Sequence, residues 1–403
     1  MQYRTLVADG RLWRASWYFR DTRLFFSRPQ AKPSSGVLLV RLDAIGDFVV
    51  WLNAARELRD HYRAKGHQIV LLANSSWSAW ARTMSLADEI IDVDRDRFIV
   101  DGPYRHGLLR NIRQRQFMTV VQPVVAMMVI SDLLVRVSGA RERIGVAWDN
   151  SMPRGPVRWL RASWYTRLIK VDQAGDSEIR RNAAFVSQLT HVPLPAEPPR
   201  LTPMRSRLSS SRSRYAVLFP GASWAGRMWP IQNFAAIGRL IRNCGLDIII
   251  AGGASEAAQC STLEAELGEP VDNQCGRTSL AELAAMMQFS EVVVSNETSA
   301  IHIAAGVRAP AVCIVGGGHF GRFVPYDADE PSDSLHSIPI PVFQKMACFN
   351  CNWQCIYPRQ DHEPVRCIAE ITVESVWCEV EKLLANRSAR SSGCQCQLLV
   401  QPR

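Results

Sequence analysis

Short apolar runs alternate with longer amphipathic stretches through most of the chain. Val37–Val40 is the first apolar run, a stretch with helical periodicity follows from about Phe48 to Arg63, and Ile69–Ala73 is the next run. A strand, a helix and a strand joined by short connections are typical of a parallel sheet. Further runs at 119–121 and 143–146 predict more strands.

The same alternation starts again after residue 214. Four apolar runs predict strands separated by helices, at 216–219, 247–251, 291–295 and 311–315. Before them lie closely spaced prolines and the stretch RSRLSSSRSR, a composition typical of a linker. We therefore predict an α/β protein of two similar domains joined by a hinge. A cleft between such domains is a preferred place for ligands.

The predicted segments are an N-terminal extension at 1–35, domains at 36–204 and 215–386, a linker at 205–214 and a flexible tail at 387–403. The extension mixes arginines with tryptophan, tyrosine and phenylalanine. Such a mixture on a short helix suits an anionic membrane interface, where rings lie at headgroup depth. The alternative is an extension that packs on its own domain.

Composition narrows the class of protein. A chain of 403 residues exceeds one compact core and fits two domains. With 47% hydrophobic and 21% charged residues, it is typical of a globular protein. The net charge of +9 favours anionic partners such as phosphates, nucleic acid or an acidic membrane. Because no nucleic-acid-binding module is recognisable, we expect no nucleic-acid partner.

The sequence also bears on location. The longest strongly apolar run, Val124–Ile130, is far shorter than the roughly 20 residues of a membrane-spanning helix. The first part of the chain has no apolar core of a signal peptide. Scattered cysteines in a chain of this length are typical of reduced thiols. We expect a cytoplasmic protein, with peripheral membrane contact through the extension.

The first motif with chemical potential is RLDAIGD, which ends at Asp47. It lies where the first strand passes into the first helix, and ligands of open α/β sheets meet the loops at the carboxyl ends of strands. Asp47 is therefore either the N-cap of the helix or a general base facing a cleft.

The second motif, FPGASWAGRMWP, follows the first strand of the second half. Its small residues let backbone approach a ligand, and Ser223 and Arg227 can bind phosphate oxygens. The alternative is a surface loop with a packed tryptophan.

The third motif, SNETSAIH, also follows a strand. Thr298 and Ser299 fall at the start of a helix, where free N–H groups favour an anion. Glu297 can accept hydrogen bonds from sugar or ribose hydroxyls, and His302 lies one turn on. The alternative is ordinary capping together with a core histidine.

Two further loops follow strands. GGASE ends at Glu256, which either meets a nucleoside or only begins a helix. GGGHFG, at 316–321, matches the dinucleotide-binding pattern in form. That pattern should open a helix, and Pro325 prevents a long one here, so we reject a dinucleotide site.

A cysteine cluster near the end of the chain has the spacing C-x2-C-x3-C with a later fourth cysteine, at Cys348, Cys351, Cys355 and Cys367. Four thiolates can hold a structural zinc or iron ion. The alternative is a group of thiols that only pack together.

Taken together, the motifs resemble glycosyltransferase family 9, the ADP-heptose:lipopolysaccharide heptosyltransferases. The likeness runs from about Gly36 to about Leu384. It is carried by VLLVRLDAIGDFVVWLNAARELR, VLFPGASWAGRMWPIQNFAAIG, IIIAGGASEAA, CGRTSLAELAAMMQFSEVVVSNETSAIHIAAG and the C-x2-C tail, in this order.

The resemblance implies a GT-B fold, with two Rossmann-like domains whose parallel sheets face a central cleft and a donor held mainly by the C-terminal domain. It makes Asp47 the general base of an inverting transfer. It makes Arg227 the residue that contacts the donor phosphates, with Ser223 as its hydroxyl partner. The stretch from Glu297 to His302 matches the family's D-T-G-x-x-H segment, and Glu256 matches the carboxylate on the nucleoside side.

The implied function is transfer of a heptose or related sugar from an ADP-sugar to a lipopolysaccharide core or another lipid-linked glycan, with no cofactor required for catalysis. The chain departs from the family pattern at two site residues: Glu297 stands where the family often has aspartate, which bears on the donor sugar, and Arg227 stands where lysine is commoner. Two alternatives stay open. One is a transferase of the same fold that uses another nucleotide sugar, and the other is a non-catalytic nucleotide-binding relative.

Overall fold

The computed structural model describes residues 20–24, 36–124, 129–147, 156–171, 177–202, 214–329 and 338–396. The predicted linker, apart from Arg214, and most of the N-terminal extension lie outside these residues. The chain divides into two compact units. The first comprises the described residues up to Phe48 together with Ala54–Gly175 and Arg181–Leu194, and the second comprises Val49–Asn53, Asp176–Arg180 and the chain from Pro195 onwards.

The first unit is built on a parallel sheet with strand order β3-β2-β1-β4-β5-β6. Its strands are β1 (Val37–Arg41), β2 (Ile69–Asn74), β3 (Glu89–Val93), β4 (Thr119–Gln122), β5 (Glu142–Val146) and β6 (Arg167–Ile169). The helices between and after them are α1 (Ile45–Ala64), α2 (Ser75–Arg82), α3 (Arg95–Val100), α4 (Gly102–Arg115), α5 (Val129–Ser138), α6 (Pro156–Ala162) and α7 (Glu178–Thr190).

The second unit has a parallel sheet of the same kind, with strand order β12-β11-β10-β7-β8-β9. Its strands are β7 (Tyr215–Phe219), β8 (Asp247–Ile250), β9 (Asp272–Asn273), β10 (Val293–Asn296), β11 (Ala311–Ile314) and β12 (Ile340–Val342). Its helices are α8 (Ile231–Asn243), α9 (Ala257–Leu267), α10 (Leu280–Gln288), α11 (Ser299–Gly306), α12 (Arg366–Ala369) and α13 (Val373–Cys396).

The central strands are buried along their whole length, as in β1 and β7. Successive side chains of a strand point to opposite faces, so complete burial means that both faces of each sheet are covered. This explains why the central strands are continuous apolar runs rather than alternating ones. In the second unit Trp229 and Phe234 pack edge to face, with ring centroids 5.3 Å apart, within the core beside β7.

The prediction of an α/β protein with two parallel-sheet halves is confirmed. The strand predicted at 291–295 is shifted, since β10 begins at Val293. Four outer strands, β3, β6, β9 and β12, were not among the predicted runs. Each lies at or next to a sheet edge and is short or half-exposed, so its sequence carries a weak apolar signal.

The described part of the N-terminal extension, residues 20–24, is helical and packs on the first unit. Asp21 is buried, and its carboxylate lies 2.7 Å from Nε of Arg105 and 3.0 Å from Nδ1 of His106. At this point the extension therefore packs on its own domain. Helix α13 continues into the segment 387–403, as far as Cys396. Among the described helices, none has both the length and the apolar character needed to span a bilayer.

Candidate functional site

Each sheet has one point where the chain changes direction along the strand order. In the second sheet β7 lies between β10 and β8, and the chain passes first to β8 and later to β10. In the first sheet β1 lies between β2 and β4 in the same way. Loops diverge at the carboxyl ends of such strands and leave a crevice that commonly binds ligands. The predicted residues Asp47, Arg227 and Glu297 follow the strands at these points.

In the second unit, Arg227 connects the loops that follow β7 and β10. It ends a short 3-10 turn, Ala225–Arg227, and its Nη2 donates to the backbone oxygen of Glu297 over 2.5 Å. Its Nη1 lies 3.5 Å from Oγ of Ser223, and the guanidinium stands over the ring of Trp353 at 5.1 Å. The structure thus brings Ser223, Arg227 and Glu297 together, with the Arg227 side chain still 24% exposed.

Glu297 is a buried carboxyl group, only 4% exposed. Within the described residues neither of its side-chain oxygens accepts a hydrogen bond, although Nη2 of Arg227 lies 3.6 Å from Oε2. Burial raises the pKa of Glu297 to about 7, and the Arg227 charge opposes that rise only in part. Near neutral pH the group can therefore either donate or accept a hydrogen bond.

The residues after Glu297 form the start of α11. Thr298 is its N-cap, and its Oγ1 accepts from the backbone N–H of Ala300 over 3.3 Å. The first helical residue is Ser299, so its N–H belongs to the group that no helical carbonyl can accept. The side chain of Thr298 can therefore cap the helix while the backbone N–H groups of the first turn remain available to bind an anion.

His302 is buried one turn into α11. Its Nδ1 lies 2.7 Å from the hydroxyl of Tyr326, and the two rings stack with centroids 5.7 Å apart. Burial lowers the pKa of His302 to about 3, with a smaller contribution from the Arg227 charge, so the imidazole is neutral. This packing agrees with the core-histidine alternative.

Glu256 joins the loops that follow β7 and β8. Its Oε2 accepts from the backbone N–H of Gly253 over 2.6 Å. On the other side it fills the space beside Gly221, where an added Cβ would lie 2.0 Å from Oε1. Glycine at 221 is therefore required for this position of the Glu256 carboxylate, whose pKa is raised by burial.

In the first unit, Asp47 lies in the first turn of α1. The N-cap is Ala44, which has no side-chain acceptor, so the N-cap alternative for Asp47 is wrong. The carboxylate instead belongs to the first turn of the helix, near the positive end of the helix dipole. Asp47 is partly exposed, as a general base must be to meet a substrate hydroxyl.

A fully buried arginine fixes the loop that carries Asp47. Nε of Arg41 lies 2.8 Å from the Asp43 carboxylate, and its Nη2 donates to the backbone oxygen of Asp47 over 3.1 Å. Its Nη1 donates to the oxygen of Pro123 over 2.9 Å, which ties together the loops after β1 and β4. Sequence reasoning did not single out Arg41, although a charge at the end of an apolar strand is a usable signal.

The cysteine cluster lies in the second unit. Cys348, Cys351, Cys355 and Cys367 line one narrow cavity, and Sγ of Cys367 accepts from the N–H of Gly317 over 3.3 Å. Thiol donors suit zinc or iron. Among the residues that the structure describes, however, no three His, Cys, Asp or Glu side chains are arranged to hold a metal ion. A metal site at these four cysteines stays a prediction.

The cysteine segment packs on the glycine loop at 316–321. A Cβ at Gly318 would lie 2.2 Å from the ring of Trp353, so this glycine makes room for the tryptophan beside Arg227. Nε1 of Trp353 donates to Nδ1 of His319 over 3.2 Å. The proton of His319 is then on Nε2, which donates to Asn352 over 2.6 Å. A short 3-10 turn, not a long helix, occupies this loop.

The sequence model of glycosyltransferase family 9 (heptosyltransferase) matches residues 105–350. Lipooligosaccharide heptosyltransferase 2 of Campylobacter jejuni is 24% identical over 173 residues, which are 42% of this chain and 50% of that protein. The chain thus spans about half the length of this relative.

Solved structures show the same fold. Escherichia coli ADP-heptose lipopolysaccharide heptosyltransferase II superposes with a TM-score of 0.65 at 17% identity, over 88% of this chain and 99% of that one. E. coli heptosyltransferase WaaC, solved with ADP-2-deoxy-2-fluoro heptose, gives a TM-score of 0.61 at 16% identity, over 86% and 99% of the two chains.

The buried carboxyl of Glu297 makes stability depend on pH. Its folded-state pKa of about 7 exceeds the ordinary 4.5, so the unfolded chain releases this proton first as the pH rises. The contribution of Glu297 to the free energy of unfolding therefore decreases as the pH rises from about 4.5 to 7. We expect Glu297→Gln to raise the free energy of unfolding of the second unit at pH 8 by an amount on the order of 3 kcal/mol relative to wild type, and by much less at pH 5. The thermal midpoint should rise accordingly at pH 8.

Scanning calorimetry across this pH range measures the difference. Glu282→Gln is a matched control, because hydrogen bonds from Ser279 hold the pKa of Glu282 below its ordinary value and its ionisation does not change in this range. A Glu297→Gln effect that is equal at pH 5 and pH 8 would contradict the shifted pKa.

Proposed function

Because the chain belongs to glycosyltransferase family 9, we propose that it transfers a sugar from a nucleoside diphosphate donor to an acceptor hydroxyl. The observation that carries the proposal is the position of Arg227 beside the first turn of α11, at the point where the second sheet changes direction. A guanidinium and free amides at a helix start together suit a diphosphate. A diphosphate is the part of a nucleotide sugar that gains charge as it leaves.

For the donor, we propose an ADP-sugar carrying heptose or a related sugar. A related E. coli enzyme was solved with an ADP-heptose analogue, which supports this choice. Glu256 binds the nucleoside side, and Glu297 accepts or donates hydrogen bonds to hydroxyls of the sugar. The longer reach of Glu297 than of an aspartate favours testing other nucleotide sugars as well.

The proposed reaction is direct displacement at the anomeric carbon, with inversion. Asp47 takes the proton of the acceptor hydroxyl while its oxygen forms the new bond to that carbon. The bond from the carbon to the diphosphate oxygen breaks, and the nucleoside diphosphate leaves with the bonding electrons. Positioning of this carboxylate beside the hydroxyl supplies much of the effect.

Protein groups supply the charge that the leaving diphosphate requires. Arg227 contributes a fixed positive charge, Ser223 a hydroxyl, and the amides of Thr298 and Ser299 further donors. Because these groups are held by the loops after β7 and β10, they need little reorganisation during the reaction. The proposed mechanism therefore needs no divalent ion.

We propose a lipopolysaccharide core or another lipid-linked cell-surface glycan as the acceptor. Such an acceptor lies at the cytoplasmic face of a membrane before export. Contact of the basic extension with an anionic membrane would raise the local concentration of enzyme at this acceptor. The strongest rival is a non-catalytic nucleotide-binding relative, and the presence of both Asp47 and Arg227 argues against it.

Asp47→Ala and Asp47→Asn test the base. General-base catalysis contributes about 10²- to 10⁴-fold, so we expect the rate of sugar transfer to fall by that factor. Donor affinity should stay within about twofold, since Asp47 lies in the first unit and its proposed role concerns the acceptor alone. Asp60→Asn, further along the same helix, is the control and should keep its rate. Full activity in Asp47→Ala would remove the base assignment.

The donor is tested by equilibrium binding of ADP, UDP, GDP, CMP and NAD. We expect selective binding of ADP, weakened by about 10- to 100-fold in Arg227→Ala, because hydrogen bonds to charged groups contribute about 1.5–3 kcal/mol. Arg239→Ala is the control, since that exposed side chain donates to the backbone oxygen of Glu266 on α9. Preference for UDP or GDP would overturn the donor, and binding of none would favour the non-catalytic alternative.

Gly221→Ala tests the position of Glu256. The added Cβ would displace the carboxylate, so we expect ADP affinity to fall about as much as in Glu256→Ala, and the double variant to be little worse than either. Isothermal calorimetry measures the cycle, and Gly107→Ala, with open space around the new Cβ, controls for general effects of the substitution. Additive losses would show that the two residues act independently.

A further inference from the structure

Two thiols flank Gly252 in the loop that follows β8. Cys260 lies on α9 and is fully buried, whereas Cys275 follows β9 and is partly exposed. Their Sγ atoms lie 2.9 and 3.0 Å from the point where a Cβ of residue 252 would stand. The Cys260 thiol donates to the backbone oxygen of Ala251 over 3.9 Å, and each thiol shifts the pKa of the other. Only a glycine at 252 leaves space for both sulfur atoms.

The same point lies 3.3 Å from Oε2 of Glu256. The thiol of Cys275 donates to the backbone oxygen of Gly253 over 3.2 Å, and the N–H of Gly253 donates to Glu256 over 2.6 Å. A chain of hydrogen bonds therefore runs from the thiol pair through Gly253 to the Glu256 carboxylate. A change at the thiols is transmitted to Glu256 through a single residue.

We propose that Cys260 and Cys275 are a modification site, which small-molecule disulfides oxidise to an intramolecular disulfide that weakens nucleoside diphosphate binding at the Glu256 loop. The coupling to binding rests on the donor site proposed above. The modification itself does not, because it depends only on the contact between the two thiols.

The reaction balances with glutathione disulfide as the oxidant. The Cys275 thiolate attacks one sulfur of the oxidant, which releases one glutathione thiolate and leaves a mixed disulfide. The Cys260 thiolate then attacks the Cys275 sulfur and releases the second glutathione thiolate. The two protons of the cysteines pass to the two glutathione molecules, so two thiols are oxidised and one disulfide is reduced.

The environment assigns an order to the two cysteines. Cys275 is partly exposed, whereas Cys260 is fully buried. Burial raises the pKa of Cys275, Cys260 opposes that rise, and Glu256 adds to it. Burial raises the pKa of Cys260, and Cys275, Glu256 and Glu264 raise it further. Cys275 is therefore the attacking thiol and Cys260 the resolving one. Because both react as thiolates, the disulfide forms faster as the pH rises.

The disulfide changes the loop directly. Its sulfur atoms must approach to about 2.05 Å, much closer than two thiols in van der Waals contact. Bond formation also removes the hydrogen that Cys275 donates to Gly253. Gly253, whose N–H binds Glu256, then loses one of the two donors to its carbonyl oxygen while the loop is drawn towards the new bond, and we expect ADP affinity to fall by about tenfold.

The full chain is incubated with glutathione disulfide at pH 8, and peptide mapping without reduction identifies the bond. ADP affinity is then measured for oxidised and reduced protein, in wild type, Cys275→Ser and Cys260→Ser. We expect a mapped Cys260–Cys275 bond and a tenfold loss in wild type, and no change on oxidation in Cys275→Ser. Cys260→Ser should stop at the glutathione adduct of Cys275, and reduction should restore its ADP affinity. Cys244→Ser, at an exposed cysteine, is the control and should respond as wild type does.

Each contrary outcome is distinct. Absence of the bond from wild type that binds ADP when reduced would overturn the site and leave the proposed function intact. A mapped bond with unchanged affinity would overturn the coupling. Cys351→Ser is measured in the same way. If this variant, and not Cys275→Ser, no longer loses ADP affinity on oxidation, the effect arises from the other cysteine cluster and the proposal is overturned. If reduced protein binds no ADP, the donor proposal and the coupling fall together, while a mapped bond still supports the modification site.

Discussion

The candidate donor site depends on one buried amide. Asn296 is the last residue of β10 and is fully buried; its Oδ1 accepts from the N–H of Trp229, over 3.0 Å, and its Nδ2 donates to the oxygen of Pro220, over 2.7 Å. The loop after β7 is thereby held at both ends against β10, and Arg227 lies between them. A buried amide is stable only when its donor and acceptor groups are satisfied, so loop and strand fix each other.

In the first unit, a charged side chain holds the loop that carries Asp47. The Arg41 guanidinium donates to backbone oxygens after β1 and β4 and pairs with Asp43, whose own backbone oxygen accepts from Nδ2 of Asn74 and Nε1 of Trp77. Desolvating an arginine is costly unless its donors are met, and removal of one partner leaves an uncompensated charge. The network therefore resists small displacements of the loop, and precise placement is what a general base requires.

Features that depend on the local pattern of residues could be predicted from the sequence. The central strands were recognisable as apolar runs, and Asp47, Arg227 and Glu297 were identified because they follow such runs. Contacts between distant segments left no pattern. Trp353 stands beside Arg227 although more than a hundred residues separate them, and only the fold joins them. The N-cap alternative for Asp47 was wrong because the cap position is Ala44, a residue that capping propensity does not favour.

Glu297 shows why local rules fail where they do. Its neighbours obey ordinary preferences: Thr298 caps a helix and His302 packs on an aromatic ring. Among the described residues, Glu297 is a buried carboxyl group whose two oxygens accept no hydrogen bond. Its desolvation lowers the free energy of unfolding. Stability gives no reason to keep such a group, since glutamine of the same shape would avoid the charge. Departures of this kind concentrate at binding sites, where a ligand's hydroxyl supplies the partner that the protein does not.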